Sequence, residues 1–386
     1  MKGAVLARSG ERTLPFRIFD DEPADAKAKA VILCAFLILA NVAVWIWAYI
    51  SFRQGPLLLG TASLAYTLGL RHAVDPDHIA AIDNVTRKLM QEGRRPVAVG
   101  LFFAMGHSTV VVLASLLVAV SVGALEARFE AFKAFGGVIG TGVSATFLLV
   151  IALINTMILI SVYRAFRASR RGDHVTDQQL HDLLQQRGLL ARMLRSLFAV
   201  ITKSWQMYPL GLLFGLGFDT ASEISLLGIS AAQGSAGLPV WVILVFPALF
   251  TAGMSLVDAT DGIAMVQAYG WAFHQPVLKL YYNLTMTLIS IIIALLIGGI
   301  EALGLVASKL DFEGPFWDVI GAASDNFGML GYLIVGVFVA AWLASMLAFR
   351  LGKFDRLRAE IRPTSTNVAA QCDPLAQGRR SRSIQK

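Results

Sequence analysis

RHAVDPDHI, at residues 71–79, is the stretch of this 386-residue sequence that decides its fold. It lies inside an otherwise apolar run, residues 56–82, that is long enough to cross a bilayer. A charged side chain that faces lipid costs about 2.5–3.5 kcal/mol on insertion scales, so ionisable groups within a span usually face a protected interior and mark a pathway. The ionisable side chains of this stretch are Arg71, His72, Asp75, Asp77 and His78, closely followed by Asp83.

Imidazole and carboxylate groups at this density are typical of a site for a divalent transition metal. The alternative is a solvated helix end at which the histidines act as caps or form ion pairs. Pro76 interrupts the stretch, because it removes a backbone donor and disfavours helical geometry at Asp75. We therefore expect a kink or an unwound turn between His72 and Asp77, of the kind that binds ions in broken transporter helices. An ordinary proline kink without a ligand role is the alternative here.

The composition is that of a membrane protein, since 56% of the residues are hydrophobic and only 15% are charged. The sequence contains apolar runs of spanning length at residues 31–50, 56–82, 97–122, 136–162, 208–229, 238–261, 276–300 and 327–349. We therefore predict an all-α integral membrane protein with about eight transmembrane helices.

The basic residues predict the orientation. With the N-terminus inside, 27 of the 33 lysines and arginines fall in cytoplasmic segments, and the outer loops hold only Arg53, Arg128, Lys133 and Lys309. Both termini are therefore expected in the cytoplasm, and the chain is expected to be a multi-pass protein of the inner (cytoplasmic) membrane. The predicted segments are a cytoplasmic N-terminal segment (1–29), helices 1–4 (30–162), a cytoplasmic loop with an amphipathic helix (163–204), helices 5–8 (205–350) and a basic cytoplasmic tail (351–386).

Further polar side chains lie within other predicted spans. His107 follows Gly106 in the third, where the glycine permits close helix approach and a ligand role for the histidine competes with ordinary packing. Asp219 and Glu223 share one face of the fifth span, since they stand four residues apart. Along the same predicted pathway we place Asp258 and Asp261 in the sixth span and Lys279 and Asn283 in the seventh. The eighth span has no charge within it and is interpreted as scaffold.

Several classes of protein are disfavoured. The two cysteines, Cys34 and Cys372, form neither a metal-binding spacing nor a disulfide framework. The Gly352-Lys353 pair lacks the upstream glycine and the Ser/Thr of a phosphate-binding loop, so we expect no ATPase within the chain. The net charge of +7 follows from the membrane topology, and no nucleic-acid motif accompanies it.

The residues 71–79 resemble the second-span signature of the nickel/cobalt transporter (NiCoT) permeases, in which alanine usually stands at the position of Pro76. Three more blocks resemble that family in the same order: residues 106–108, residues 216–220 with Glu223, and residues 253–254 with residues 258–261. The resemblance covers the whole chain. It implies high-affinity uptake of Ni²⁺ or Co²⁺, with His72, Asp77, His78 and His107 as the leading ligands.

The donor types agree with that metal class. Imidazole nitrogen with carboxylate oxygen and no thiolate suits Ni²⁺, Co²⁺ or Zn²⁺, whereas Mg²⁺ and Ca²⁺ sites need no histidines. We expect a secondary permease with no cofactor, whose partners are the metal ion and the lipid bilayer. An intramembrane metal-dependent hydrolase with the same ligands, or an exporter of the same metals, are the alternatives.

Overall fold

The computed structural model describes residues 20–120, 126–170, 201–217, 220–272 and 276–350. The chain divides into two compact units, Met1–Val337 and Phe338–Lys386, and of the second only the helical residues 338–350 are described. All the functional residues predicted above belong to the first unit. The predicted terminal segments lie largely outside the described residues, and so does the predicted amphipathic helix of the middle loop.

The described residues form α-helices and one short 3₁₀ helix, without strands. In chain order the α-helices are α1 (Ala26–Phe52), α2 (Pro56–His72), α3 (Pro76–Gln91), α4 (Val99–Val120), α5 (Glu126–Arg170), α6 (Met207–Phe214), α7 (Ala221–Ser235), α8 (Val240–Ile243), α9 (Val245–Ala272), α10 (Pro276–Leu310), α11 (Pro315–Asp325) and α12 (Phe327–Arg350). The 3₁₀ helix, Ser204–Gln206, precedes α6.

Five described segments are each long and apolar enough to cross a membrane, namely Ala26–Phe52, Val99–Val120, Phe135–Met157, Val240–Ala268 and Thr287–Leu310. The pair α11 and α12, bent by 72°, gives a sixth if it is one broken span. The second and fifth predicted spans are each divided into two helices, α2 with α3 and α6 with α7, that are individually too short to cross. The all-α membrane class is confirmed, and the count of eight and the orientation stay predictions.

Helix α1 lies at the periphery and is anchored by one polar residue. Apolar side chains such as Val31 and Leu39 are exposed on it, as expected for a helix that faces lipid. Asn41 is buried and donates through Nδ2 to the Ala252 carbonyl of α9 at 3.3 Å, while its Oδ1 accepts from the Tyr66 hydroxyl of α2 at 3.0 Å. These bonds join α1 to α2 and α9.

Helices α2, α4, α6 and α9 approach one another to backbone contact at glycines. A Cβ placed on Gly100 of α4 would overlap the Asp258 carbonyl of α9, and one on Gly106 would overlap the Tyr208 carbonyl of α6. The close approach predicted at Gly106 is therefore confirmed. Because these contacts are backbone to backbone, they fix the relative heights of the helices on which the site residues stand.

Candidate metal centre

The charged stretch does form a break between two helices. Helix α2 ends at His72, α3 begins at Pro76, and Asp75 between them has an extended backbone (φ −63°, ψ 140°). Pro76 occupies the first helical position, where a missing N–H costs no helical hydrogen bond. The His72 carbonyl accepts from the Asp75 N–H at 3.0 Å, so the break does not leave that carbonyl free.

A second break lies on the chain between α6 and α7. Helix α7 begins after Thr220, whose hydroxyl accepts from the Glu223 N–H as an N-cap. The Glu223 side chain in turn accepts from the Thr220 hydroxyl at 2.9 Å. These two contacts between Thr220 and Glu223 orient the Glu223 carboxylate at the start of the helix.

Three imidazoles from three helices meet at one place. His72 closes α2, His78 lies in the first turn of α3 and His107 lies midway along α4. Each pair of ring centroids is 4.8 Å apart, and the His72 and His107 Nε2 atoms are 2.9 Å apart. One nitrogen from each ring lies within 4.8 Å of the other two, and the three residues are at most 3% exposed. Such a convergence of nitrogens is the arrangement that a transition metal requires.

Three carboxylates surround the imidazoles. Glu223 Oε1 lies 2.9 Å from His107 Nε2 and 3.8 Å from His72 Nε2. Asp258 of α9 lies 3.2 Å from His78 Nδ1, and Asp75 lies 3.0 Å from His72 Nδ1. Glu223 thus lies beside the Nε2 atoms of His72 and His107. Asp75 and Asp258 instead lie beside the Nδ1 atoms of His72 and His78, here called the outer nitrogens. A carboxylate on the far nitrogen fixes the tautomer and raises the basicity of a ligating imidazole.

Two nitrogens of the cluster have no hydrogen-bond partner among the described residues. His78 Nε2 and His107 Nδ1 are fully buried and make no hydrogen bond in the described part of the chain. A buried polar atom without a partner costs about 1–3 kcal/mol. A bound metal ion would satisfy the His78 nitrogen, since Asp258 already holds the opposite side of that ring.

Two aromatic rings enclose the imidazoles. The Phe250 ring of α9 lies 5.4 Å from the His72 ring, and the Phe103 ring of α4 lies 4.8 Å from the His78 ring. Both phenylalanines are fully buried. Apolar rings beside the imidazoles lower the local polarity, which strengthens the electrostatic interactions there.

Other predicted residues lie beside the imidazole cluster. Asp77 is half-buried and interacts electrostatically with His72 and His78 without belonging to the cluster. Arg71, at the end of the same helix as His72, is exposed.

Asp83 and Asp261 form a second polar region, between α3, α9 and α10. Asp83 is buried and accepts from the Ser290 hydroxyl of α10 at 2.7 Å. Asp261 interacts electrostatically with Asp83 and Asp258, and its Oδ2 is a buried atom without a hydrogen-bond partner in the described part of the chain.

Three predicted residues cannot be placed. Asp219 lies outside the described residues, and Lys279 and Asn283 belong to α10 but their side chains lie outside the described part.

Sequence reasoning missed four residues at the site. Thr220 was identifiable, because a threonine three residues before a glutamate is the signature of a capping box. Ser290, Phe103 and Phe250 carry no such signal, since serine and phenylalanine are common throughout membrane helices.

The family model described as "High-affinity nickel-transport protein" matches residues 58–348. A high-affinity nickel transport protein of Cupriavidus necator is 56% identical over 329 residues, which are 85% of this chain and 94% of the relative. The nickel transporter NixA of Staphylococcus aureus is 46% identical over 83% of this chain and 94% of its own length. The cobalt transport protein NhlF of Rhodococcus rhodochrous is 40% identical over 78% and 86%, respectively. No solved structure matches the chain.

Proposed function

The chain belongs to the family of high-affinity nickel-transport proteins, a family of multi-pass membrane transporters and not of enzymes, and we propose that it takes up Ni²⁺ or Co²⁺ through the buried imidazole cluster. The hydrolase interpretation is thereby set aside. The proposal extends to the place of action, the inner (cytoplasmic) membrane.

The observation that carries the proposal is the convergence of His72, His78 and His107 around one buried point, with Glu223 beside it. Nitrogen donors with one or more carboxylates suit Ni²⁺ and Co²⁺ and disfavour the hard cations Mg²⁺ and Ca²⁺. Relatives named as nickel transporters and as a cobalt transporter support the same pair of metals. The same donors also accept Zn²⁺, but membership of this family favours Ni²⁺ and Co²⁺.

The two helix breaks support the proposed transport function. The turn before Pro76 and the start of α7 bring Asp75 and Glu223 to the imidazoles from two interrupted helices, the arrangement by which many secondary transporters bind ions near the middle of the membrane. The ion sheds water as it exchanges its hydration shell for these ligands, and a rearrangement of the helices then releases it on the other side.

A route toward the cytoplasm follows α3 and α9. Asp83, Asp261 and Ser290 lie beyond Asp258 in the direction of the predicted cytoplasmic ends of these helices. We assign them to the release path, along which carboxylates replace imidazoles as partners of the ion. Arg71, Asp219, Lys279 and Asn283 are proposed to support the path.

Labelled-metal transport tests the proposal. Cells that express the chain should accumulate ⁶³Ni and ⁵⁷Co, each reduced by an excess of the other metal. His72→Ala should abolish accumulation at an equal amount of membrane protein, because a methyl group cannot donate a lone pair. His174→Ala, in the predicted cytoplasmic loop, is the control and should transport as the unmodified chain does.

Faster loss of label from preloaded cells, in place of accumulation, would show that the protein is an exporter. Normal uptake by a well-expressed His72→Ala variant would disprove the ligand assignment while leaving the transported metals unchanged.

A further inference from the structure

Helix α12, interpreted from the sequence as scaffold, lies directly against the ligand-bearing turn. A Cβ placed on Gly331 would overlap the Val74 carbonyl oxygen and would lie 3.5 Å from Pro76 Cδ. Real Cβ atoms essentially never come within 3.0 Å of another heavy atom in this way. The backbone of α12 therefore touches the backbone of the break between α2 and α3, and only a glycine permits it.

We propose that Gly331 is a positioning residue: through it α12 holds the turn and thereby sets the spacing of the metal ligands on either side. The proposal rests on the function proposed above. It assigns to α12 an effect on metal affinity and selectivity, although no side chain of this helix is a predicted ligand.

The turn transmits displacement because it is tied to its flanks. The Val74 N–H donates to the Arg71 carbonyl at 3.0 Å and the Asp75 N–H donates to the His72 carbonyl at 3.0 Å. The Asp75 carboxylate also lies 3.0 Å from His72 Nδ1. A displacement of Val74 should therefore also displace Asp75 and His72, because these contacts couple the residues of the turn to one another.

The required movement is large for a metal site. To accommodate a methyl group at Gly331, the turn or α12 must move by roughly 1 Å, whereas ligand distances in metal sites stay within about 0.2 Å of their preferred values. Ni²⁺ and Co²⁺ have different geometric preferences, so displaced ligands affect the two ions unequally. A substitution at Gly331 should change both the affinity and the ratio between the metals.

Helix α12 supplies matched controls. Gly336 lies on the same helix and has no atom within 4 Å of a Cβ placed on it. Gly328 is intermediate, because its nearest neighbour is the Arg71 side chain at 3.2 Å, which can move aside. Alanine at these three positions adds the same methyl group to the same helix and differs only in what that group meets.

The experiment compares Gly331→Ala, Gly328→Ala and Gly336→Ala with the unmodified chain. We measure KM for ⁶³Ni and ⁵⁷Co uptake at equal membrane protein, and the visible absorption spectrum of Co²⁺ bound to the purified protein. Gly331→Ala should raise KM at least tenfold for one metal, change the ratio of the two KM values and alter the Co²⁺ spectrum. Gly328→Ala and Gly336→Ala should keep both KM values within twofold of the unmodified chain and leave the Co²⁺ spectrum unchanged. A general loss of packing in α12 would affect all three variants alike.

Unchanged KM values and an unchanged Co²⁺ spectrum in Gly331→Ala would overturn the proposal. If that variant fails to reach the membrane, Ile334→Ala replaces it, because Ile334 is buried one turn further along α12 and its truncation loosens the helix without a clash. A severalfold rise in KM is expected there, and an unchanged KM overturns the proposal. If the unmodified chain takes up neither metal, the proposed function fails, and the Co²⁺ spectra of the purified variants still test the positioning role.

Discussion

Replacing Glu223 with glutamine tests whether a negative charge, and not only imidazole nitrogen, holds the ion. Glutamine has nearly the same volume, and its amide oxygen can still accept from the Thr220 hydroxyl that now bonds Oε2 at 2.9 Å. The change therefore removes the charge that lies 2.9 Å from His107 Nε2 and 3.8 Å from His72 Nε2 and leaves the hydrogen bond with Thr220 intact. An interaction with a charged partner in a buried site contributes about 1.5–3 kcal/mol. Since 1.4 kcal/mol corresponds to about tenfold, KM for uptake should rise about ten- to a hundredfold.

The control for this variant is a second buried glutamate. Glu301 of α10 is 7% exposed and accepts from the Ser144 hydroxyl at 2.8 Å, so it matches Glu223 in burial and in its serine or threonine partner. Glu301→Gln should leave KM within twofold, because the described partner of that carboxylate is Ser144 of α5 and not an imidazole of the cluster. Initial rates of ⁶³Ni uptake over a range of concentrations measure both variants. An unchanged KM in Glu223→Gln, or an equal rise in Glu301→Gln, would refute the reasoning.

Three further predictions concern the break, the cytoplasmic side and the topology. Pro76→Ala should keep ⁶³Ni and ⁵⁷Co uptake within about twofold, since the proline stands at a first helical position and the break persists without it; a large loss would show that the ring itself is required. Asp21→Ala should lower the thermal unfolding temperature by several degrees with KM unchanged, because the carboxylate accepts from both the N–H and the hydroxyl of Ser204; an unchanged temperature would show that the contact is not stabilising. Reporter fusions after Arg171 and after Arg380 should both report the cytoplasm, and opposite sides would mean an odd number of spans.

Sequence patterns identified residues that meet in the candidate site more readily than they indicated the course of the helices. Buried ionisable residues are costly in a membrane, so His72, His78 and Glu223 were identifiable one by one from their apolar surroundings. The structure brings all three together, with His107, for which packing and ligation were equally open on sequence grounds. Their mutual distances depend on which helices become neighbours, and hydrophobic periodicity within one span carries no information about that.

The interruptions explain why the spans were harder to predict. A hydropathy window averages over residues 56–82 and does not register that α2 ends at His72. The proline indicated a disturbance there, but the break between α6 and α7 has no proline within it. The sequence signal for that second break was the threonine three residues before Glu223. This spacing is typical of a helix start, and here it falls in the middle of a predicted span.

The two interruptions and the buried charges have one physical explanation. A continuous helix satisfies its own backbone and leaves only side chains to face a ligand, whereas a helix that starts within the membrane can aim a side chain from its first turn along the helix axis. Glu223 and His78 both stand in such first turns, of α7 and α3. The positive end of each helix dipole stabilises the carboxylate of Glu223 but opposes a cation beside His78. The carboxylates of Asp75 and Asp258, beside the Nδ1 atoms of His72 and His78, offset that unfavourable field. Their negative charge explains why acids accompany the imidazoles, although the imidazoles alone supply the nitrogen ligands.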